Sequence, residues 1–276
     1  MGILYLVATP IGNLEDLSPR AARVLRESVL IAAEDTRHTG SLLKHFEIKT
    51  PLTSYYEHNK LTKQDYVLGK LAEGDVALVS DAGTPAINDP GYELVRAALA
   101  AGFDVRPVPG PSAPIAALTV SGLPTDAFLY LGYLPHKSGE RRKALAQIGN
   151  LRYTLIFLET PHRLLDSLTD LLSVLGDRRI SVSRELTKLY EETWRGSISG
   201  AMAHFTAKEP RGEFTLVVEG QQTVDGARWS EEQLLSAIRD EAQSEKSASQ
   251  LAGELADQSG WKKKEVYTLI LKSVSS

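Results

Sequence analysis

Apolar residues gather in short runs through the first half of the chain, Ile3 to Ala8, Leu30-Ile31-Ala32-Ala33 and Val76 to Ser80, and Phe103 to Val108 reads as a further strand. Runs of this length, with no polar alternation, predict strands buried on both faces. Between them the spacing is helical. Ser18 caps a predicted helix with Pro19 at its first position, and Ala21, Ala22, Val24, Leu25 and Val29 form its apolar stripe. A second helix over Lys60 to Glu73 carries Val67, Leu68 and Leu71 and stops at Gly74. A third is expected from Asp89-Pro90 to Ala101, ending at Gly102, and a fourth from Ser112 through Leu118. Strands alternating with helices predict a mainly parallel sheet covered on both sides.

Val120 to Asp126 (Val-Ser-Gly-Leu-Pro-Thr-Asp) reads as a linker. Beyond it the rhythm changes. Strands are expected at Ala127–Leu134, Tyr153–Leu158, Ile180–Glu185, Thr193–Ser197 and Glu213–Glu219, around helices near Glu140–Ile148, Pro161–Leu175 and Gly200–Ala207. The short interval between the last two strands leaves no room for a long crossover, so this sheet should be mixed. After Gln222 helix formers dominate. Ser230-Glu231-Glu232-Gln233 is a capping box, and helices follow over about 231–241, 246–258 and 262–273. The expected organisation is two α/β domains, 1–121 and 122–222, with a small helix-turn-helix-like module over 223–276.

Composition narrows the chemistry. The chain has no cysteine, which removes a disulfide framework, a cysteine-based zinc site and a thiol nucleophile together. Its six histidines lack metal-ligand spacing, so no metal is expected. The apolar N-terminus has no basic leader and soon meets Pro10, Gly12 and Asn13, and no run approaches the ~20 apolar residues of a membrane span. A cytoplasmic protein is expected. Net charge −4 gives no global attraction to nucleic acid, so any such binding must come from local patches.

Three predicted strands run into small-residue loops: Thr9 to Asn13, Ser80 to Pro85, and Pro109 to Ala113. Each alone reads first as an ordinary turn after a strand; together they suggest a composite site at the carboxyl ends of a parallel sheet. Neither G-x-G-x-x-G after the first strand nor a P-loop occurs, and the loops carry no Lys or Arg for phosphate. They suit a ligand of low net charge with polar edges, such as an adenosyl group.

The residues in these loops go further. Val7 to Leu14, Ala33 to Arg37, Val79 to Ile87 and Pro109 to Ala113 resemble the tetrapyrrole methylase superfamily. Tyr55 to Asn59, Gly132 to Pro135, Glu159 to Arg163, Arg184 to Glu192 and Gly212 to Phe214 extend the likeness over nearly the whole chain. Glu34–Arg37, Tyr55–Asn59 and Arg184–Glu192 point to its ribosomal RNA branch. The resemblance implies two α/β domains of tetrapyrrole-methylase type and a homodimer. It implies S-adenosylmethionine as cofactor, bound between the domains by Pro10, Ile11, Ser80, Asp81, Ala82, Gly83, Thr84, Ile87, Ser112, Ala113, Leu158 and Leu186. The implied reaction is 2′-O-methylation of a cytidine ribose in the decoding region of 16S ribosomal RNA, with the 30S subunit as partner. One departure is Thr9-Pro10, where many members carry a glycine-rich pair.

A ribose hydroxyl becomes a competent nucleophile only as it loses its proton, which calls for a base or a cation that steadies the alkoxide. Glu34, Asp35, His58, Glu185 and Lys188 are the candidates. Each also has a plain reading: Asp35 or Thr36 as a helix cap with Glu34 paired to Arg37, His58 as a loop residue, Glu185 and Lys188 as a salt-bridged strand end. For RNA, Lys137, Arg141, Arg142 and Lys143 crowd one helix start, against its dipole, and Lys262 to Lys264 open the last helix. Lys262 and Lys263, with Arg37 and Asn59 from the branch-specific segments, complete the candidate RNA contacts. Two other readings stand beside this one. A methyltransferase of the same fold could act on a corrinoid or porphyrin precursor, although that needs neither the basic helix start nor the helical tail. A non-catalytic RNA-binding assembly factor would not bind the cofactor.

Overall fold

A computed structural model describes residues 2–56, 60–222, 229–241 and 246–274. Contacts divide the chain into two compact units, Met1–Gly220 and Gln221–Ser276. The first holds two five-stranded sheets.

The first sheet consists of β1 (Ile3–Val7), β2 (Leu30–Ala33), β3 (Leu52–Ser54), β4 (Val76–Val79) and β5 (Asp104–Val108), in the order β3-β2-β4-β1-β5 with every pair parallel. Helices α1 (Pro19–Glu27) and α2 (Thr36–His45) cover one face, and α3 (Lys60–Glu73) and α4 (Tyr92–Ala100) the other. Along β4, Ala77 and Val79 enter the first layer while Val76 and Leu78 enter the second. That double burial is why the strand reads as one apolar run. Ser18 caps α1 as expected, its Oγ accepting from Ala21 N at 3.0 Å.

Two local expectations are corrected. β3 gave no apolar signal, following Pro51 as a brief edge strand; its place comes from backbone pairing, with Ile31 N donating to Pro51 O and Tyr55 N to Ala33 O. Helix α4 begins at Tyr92 rather than at Asp89-Pro90. Ala86, Asn88 and Gly91 all have positive φ (67°, 62° and 143°), which keeps 86–91 out of the helix.

The second sheet comprises β6 (Phe128–Tyr133), β7 (Thr154–Glu159), β8 (Arg179–Arg184), β9 (Glu192–Ser197) and β10 (Phe214–Val218), ordered β6-β7-β10-β8-β9. Only β6 and β7 pair parallel, so the sheet is mixed. Helices α6 (Ser138–Ile148), α7 (Leu164–Leu175) and α8 (Ile198–Ala207) lie on one face, around Leu145, Phe157, Leu168, Phe205 and Leu216. Helix α5 (Ala113–Ser121) takes the other, packing Ala117 and Leu118 with Ile156 and Val217. The expected linker therefore starts too early: Val120 and Ser121 are the last turn of α5, capped by Gly122 at φ 73°. A helix that leaves the first sheet and packs on the second fixes the two against each other.

The second unit is a three-helix cluster of α9 (Glu231–Asp240), α10 (Ala248–Ser259) and α11 (Lys263–Val274) around Leu234, Ile238, Leu255, Val266 and Ile270. Capping boxes start α9 at Ser230–Gln233 and α10 at Ser247–Gln250. Among the described residues no helix is long and apolar enough to cross a membrane.

Candidate functional site

The loops after β1, β4 and β5 are bound to one another. Thr9 and Gly83 exchange backbone hydrogen bonds, Thr9 N to Gly83 O at 2.9 Å and Gly83 N to Thr9 O at 3.0 Å. Thr84 Oγ1 donates to Pro111 O at 3.2 Å, which ties the third loop to the second. Gly83 sits at φ 79°, and a Cβ there would stand 3.4 Å from Ile11 Cγ2. A glycine is thus suited to this crossing by its backbone and by its lack of bulk. The loop after β2 joins through Asp35 N, which donates to Asp81 Oδ1 at 3.0 Å, and through Asp81 N, 3.4 Å from Glu34 Oε2.

These loops form one wall of a cleft with an empty volume of about 1050 Å³, part of it open to solvent. The opposite wall comes from the second sheet: Tyr130 and Tyr133 of β6, Leu158 of β7, Ser183 of β8, Phe214 and Thr215 of β10, and the segment after β8. In that segment Lys188 Nζ lies 2.9 Å from Glu185 Oε1 and 3.3 Å from Glu213 Oε2. Glu185 and Thr187 hold positive φ (48° and 66°), conformations uncommon outside glycine and frequent at functional turns. The walls meet at Gly12, where an added Cβ would overlap Lys188 Cγ and come within 2.9 Å of Leu186 O.

Charge divides the cleft. On the first wall burial, then the charge of Asp89, pushes the Glu34 carboxyl above its ordinary value. Burial likewise raises Asp89, outweighing its hydrogen bond from Ser80. On the second wall burial alone would draw Lys188 down, but the Glu185 hydrogen bond and the Glu213 charge hold it above the usual lysine range. Burial would raise Glu185, yet bonds from Lys188 and Glu213 N leave it lowered. Tyr130 is pushed up to about 12 by burial and then by Asp89.

Of the expected site residues, Ile11, Glu34, Asp81, Ala82, Gly83, Thr84, Ile87, Ser112, Ala113, Leu158, Glu185, Leu186 and Lys188 line this cleft. Pro10 and Ser80 do not line it, Ser80 being buried with its Oγ toward Ala82 O. Asp35 does not line it. Its carboxylate accepts from Arg37 N to cap α2 and pairs with Arg37 at 2.6 Å, bonds that hold it well below the usual carboxylate range. Arg37 thus pairs with Asp35, and Glu34 with the Asp81 backbone. His58 and Asn59 lie outside the described residues. Asn88, Asp89, Tyr130, Tyr133, Ser183, Glu213, Phe214 and Thr215 were not anticipated. For Tyr133, Glu213 and Phe214 the signal existed in Gly132–Pro135 and Gly212–Phe214, segments that carry the family resemblance but had been given no role.

The basic helix start is also revised. Arg141 is 3% exposed and cannot present its charge to a phosphate. Its Nε donates to Asp170 Oδ2 at 2.7 Å, and its Nη1 to the carbonyls of Pro135 and His136. The unfavourable helix dipole is offset by Asp170 on α7 rather than by a ligand. Lys137, Arg142 and Lys143 are exposed, as are Lys262 and Lys263 at the start of α11.

The donor set fits S-adenosylmethionine. Glu34, Asp81 and Asp89 offer acceptors for a cation and for hydroxyls, Ile11, Ile87, Leu158 and Leu186 offer apolar contact, and among the described residues no lysine or arginine on the loop wall awaits a phosphate. Among the described residues no three His, Asp or Glu side chains stand together to hold a metal.

Comparison with known proteins agrees with this geometry. The family model of Tetrapyrrole (Corrin/Porphyrin) Methylases matches residues 3–201. The chain is 48% identical over 274 residues to the ribosomal RNA small subunit methyltransferase I of Synechocystis sp., covering 99% of this chain and 98% of that protein. It is 54% identical over 220 residues to the protein of the same name from Halalkalibacterium halodurans, covering 79% and 76%. Among solved structures it shares its fold with the methyltransferase CobJ, at TM-score 0.59 and 19% identity over 80% of this chain and 95% of that one. The uroporphyrin-III-C-methyltransferase of Thermus thermophilus follows at 0.55 and 21%, over 79% and 94%.

Proposed function

The chain belongs to the tetrapyrrole methylases and, within them, to the ribosomal RNA small subunit methyltransferase I family, and from that premise we propose that it methylates the 2′ hydroxyl of a cytidine in the decoding region of 16S ribosomal RNA. It is a ribosomal RNA methyltransferase whose cofactor is S-adenosylmethionine. We take the substrate to be the RNA as presented by the 30S subunit, and the working form to be a homodimer.

When bound, the cofactor supplies an electrophilic methyl group on a sulfonium. Carbon methylation of a pyrimidine ring ordinarily begins with a cysteine adding to the ring, and the chain has no cysteine. A hydroxyl oxygen is already a nucleophile and needs only alignment and the loss of its proton.

The observation that carries the reading is Lys188, a cation set between Glu185 and Glu213 on the wall facing the acidic loops. In this reading Lys188 holds the ribose oxygen and steadies its developing negative charge. Glu185, kept ionised, positions the ammonium. Glu34, made more basic by burial, is the carboxylate on the facing wall placed to take the proton, and Ile87, Tyr133 and Leu158 keep water from the reacting atoms.

The test is methyl transfer from labelled S-adenosylmethionine to 30S subunits, free 16S RNA and a corrinoid, followed by nucleoside analysis. Label in 2′-O-methylcytidine is expected. Label in the corrinoid alone, or in a base-methylated nucleoside, would overturn the proposal.

A further inference from the structure

A second, shallower hollow, with an empty volume of about 930 Å³ that includes open solvent, adjoins the cleft, and Glu185 lines both. Arg184, Gly212, Tyr190, Lys208 and Arg211 complete most of its surface. Leu189 and Tyr190 project beside it at 87% and 70% exposure. The segment that carries them is well fixed. Thr187 N donates to Glu191 Oε2 at 2.7 Å, and backbone bonds run from Lys188 N to Glu185 O and from Glu191 N to Lys188 O. An aromatic ring held out into water on an ordered turn, next to a reactive cleft, gains nothing by burial within this chain.

The surrounding charge indicates what covers it. Arg184, Lys208 and Arg211 face the hollow with Glu185 and Glu209. Glu185 is engaged by Lys188, and Glu209 by Arg211 at 2.8 Å. Arg184 and Lys208 share Glu192, at 3.3 and 2.8 Å. Lys208 and Arg211 are nonetheless 53% and 80% exposed, and such exposed pairs contribute little and can be exchanged for a phosphate. An aromatic face flanked by cations suits an unpaired base and its phosphate, since every base has a face to stack while its backbone carries negative charge.

We propose that this hollow is the subsite for the nucleotide next to the methylated one. Tyr190 stacks on its base, and Lys208 and Arg211 meet its phosphate. The inference rests on the ribosomal RNA reading of the cleft and adds to it that the target strand enters single-stranded, past Glu185.

The test uses the full-length protein with 30S subunits as methyl acceptor, and a fluorescent single-stranded RNA spanning the methylated site for direct binding. Tyr190→Ala should raise KM for the acceptor and weaken RNA binding by about 5- to 100-fold, the range for loss of one base–aromatic stack. Tyr190→Phe should restore both, because stacking needs the ring and not the hydroxyl. Lys208→Gln with Arg211→Gln should flatten the dependence of log K on log salt by about 0.7 for each phosphate no longer neutralised. Wild-type methylation of 30S subunits with KM and RNA affinity unchanged in all variants would overturn the subsite and leave the proposed function standing. A wild-type protein that transfers no methyl group to RNA would overturn the proposed function instead, and the binding arm would still judge the subsite. If Tyr190→Ala turned a dimer into a monomer on sedimentation, with RNA affinity unchanged, the exposed ring would be a contact between copies of the chain and the proposal would fall.

Discussion

Arg141 Nη2 and Asp170 Oδ2 lie 2.7 Å apart in an ion pair whose side chains are 3% and 8% exposed. The pair joins α6 to α7, and Asp170 Oδ1 also accepts from Ser138 Oγ at 3.0 Å at the first residue of α6. Arginine fits because its fork reaches the carboxylate and the Pro135 and His136 carbonyls at once.

Removing one partner of a buried pair leaves the other charge uncompensated, at a cost of about 3–5 kcal/mol. Arg141→Ala should therefore lower the urea midpoint sharply, and Arg141→Lys should recover only part of the loss. Arg142 also approaches Asp170, Nε to Oδ1 at 3.7 Å, but from a side chain 57% exposed, so Arg142→Ala should cost at most about 1 kcal/mol of stability, well short of the Arg141 variant. Wild-type stability in Arg141→Ala, combined with lost RNA binding, would show that the arginine serves the ligand after all.

Lys188 should matter to the chemical step more than to cofactor binding. Lys188→Gln is expected to lower the single-turnover rate by about 10²-fold, the scale for losing one group that stabilises a developing oxyanion. Its pKa is held above the usual lysine value, so the ammonium stays charged through mildly alkaline pH. Glu185 is held low and stays ionised. The wild-type rate should not decline between about pH 7 and 9. A decline over that interval, abolished in Lys188→Gln, would mean that Lys188 titrates during turnover.

Much of this arrangement was legible in the sequence because burial on both faces writes itself as apolar runs. β1, β2, β4 and their following loops were readable for that reason, whereas the mixed second sheet was read from the short interval between β9 and β10, which are not neighbours in the sheet. β3 was not, because Leu52-Thr53-Ser54 is held by backbone pairing to β2. The loop wall of the cleft follows from its glycines and small polar residues. The facing wall was harder to see. Tyr130, Ser183 and Thr215 reach it only because β6, β8 and β10 come together in space, and no local pattern marks them. Arg141 shows the reverse failure: a basic run looks solvent-facing until the fold supplies Asp170.

Gly12 holds the two walls in register by being small. Its backbone approaches Leu186, Thr187 and Lys188 so closely that an added Cβ would overlap Lys188 Cγ and lie 2.8 Å from Thr187 Oγ1. Gly12→Ala should push the segment carrying Lys188 away from the β1 loop. Because Gly12 is exposed, the melting temperature should change little, while kcat falls at least as far as a 1 Å misplacement implies, about 10²-fold. A fully active Gly12→Ala enzyme would show that this approach does not set the position of Lys188.

Glu34 should trade stability for function. Burial and the neighbouring Asp89 raise its pKa in the folded chain, so folding disfavours the ionised form. For an acid raised on folding, the stability contribution is fully present below the unfolded pKa and is lost as pH rises through the folded value. At neutral pH the wild type carries that loss and a neutral glutamine does not. Glu34→Gln should therefore raise the melting temperature of the cofactor-free protein at pH 7, with the difference vanishing below about pH 3, where the wild-type carboxyl is protonated in both states. The same substitution removes one negative charge from the wall that faces the cofactor, so affinity for S-adenosylmethionine by titration calorimetry should fall as stability rises. A glutamine variant less stable at pH 7 than at pH 3, relative to wild type, would mean that Glu34 is held by a favourable partner rather than disfavoured by burial and its acidic neighbours.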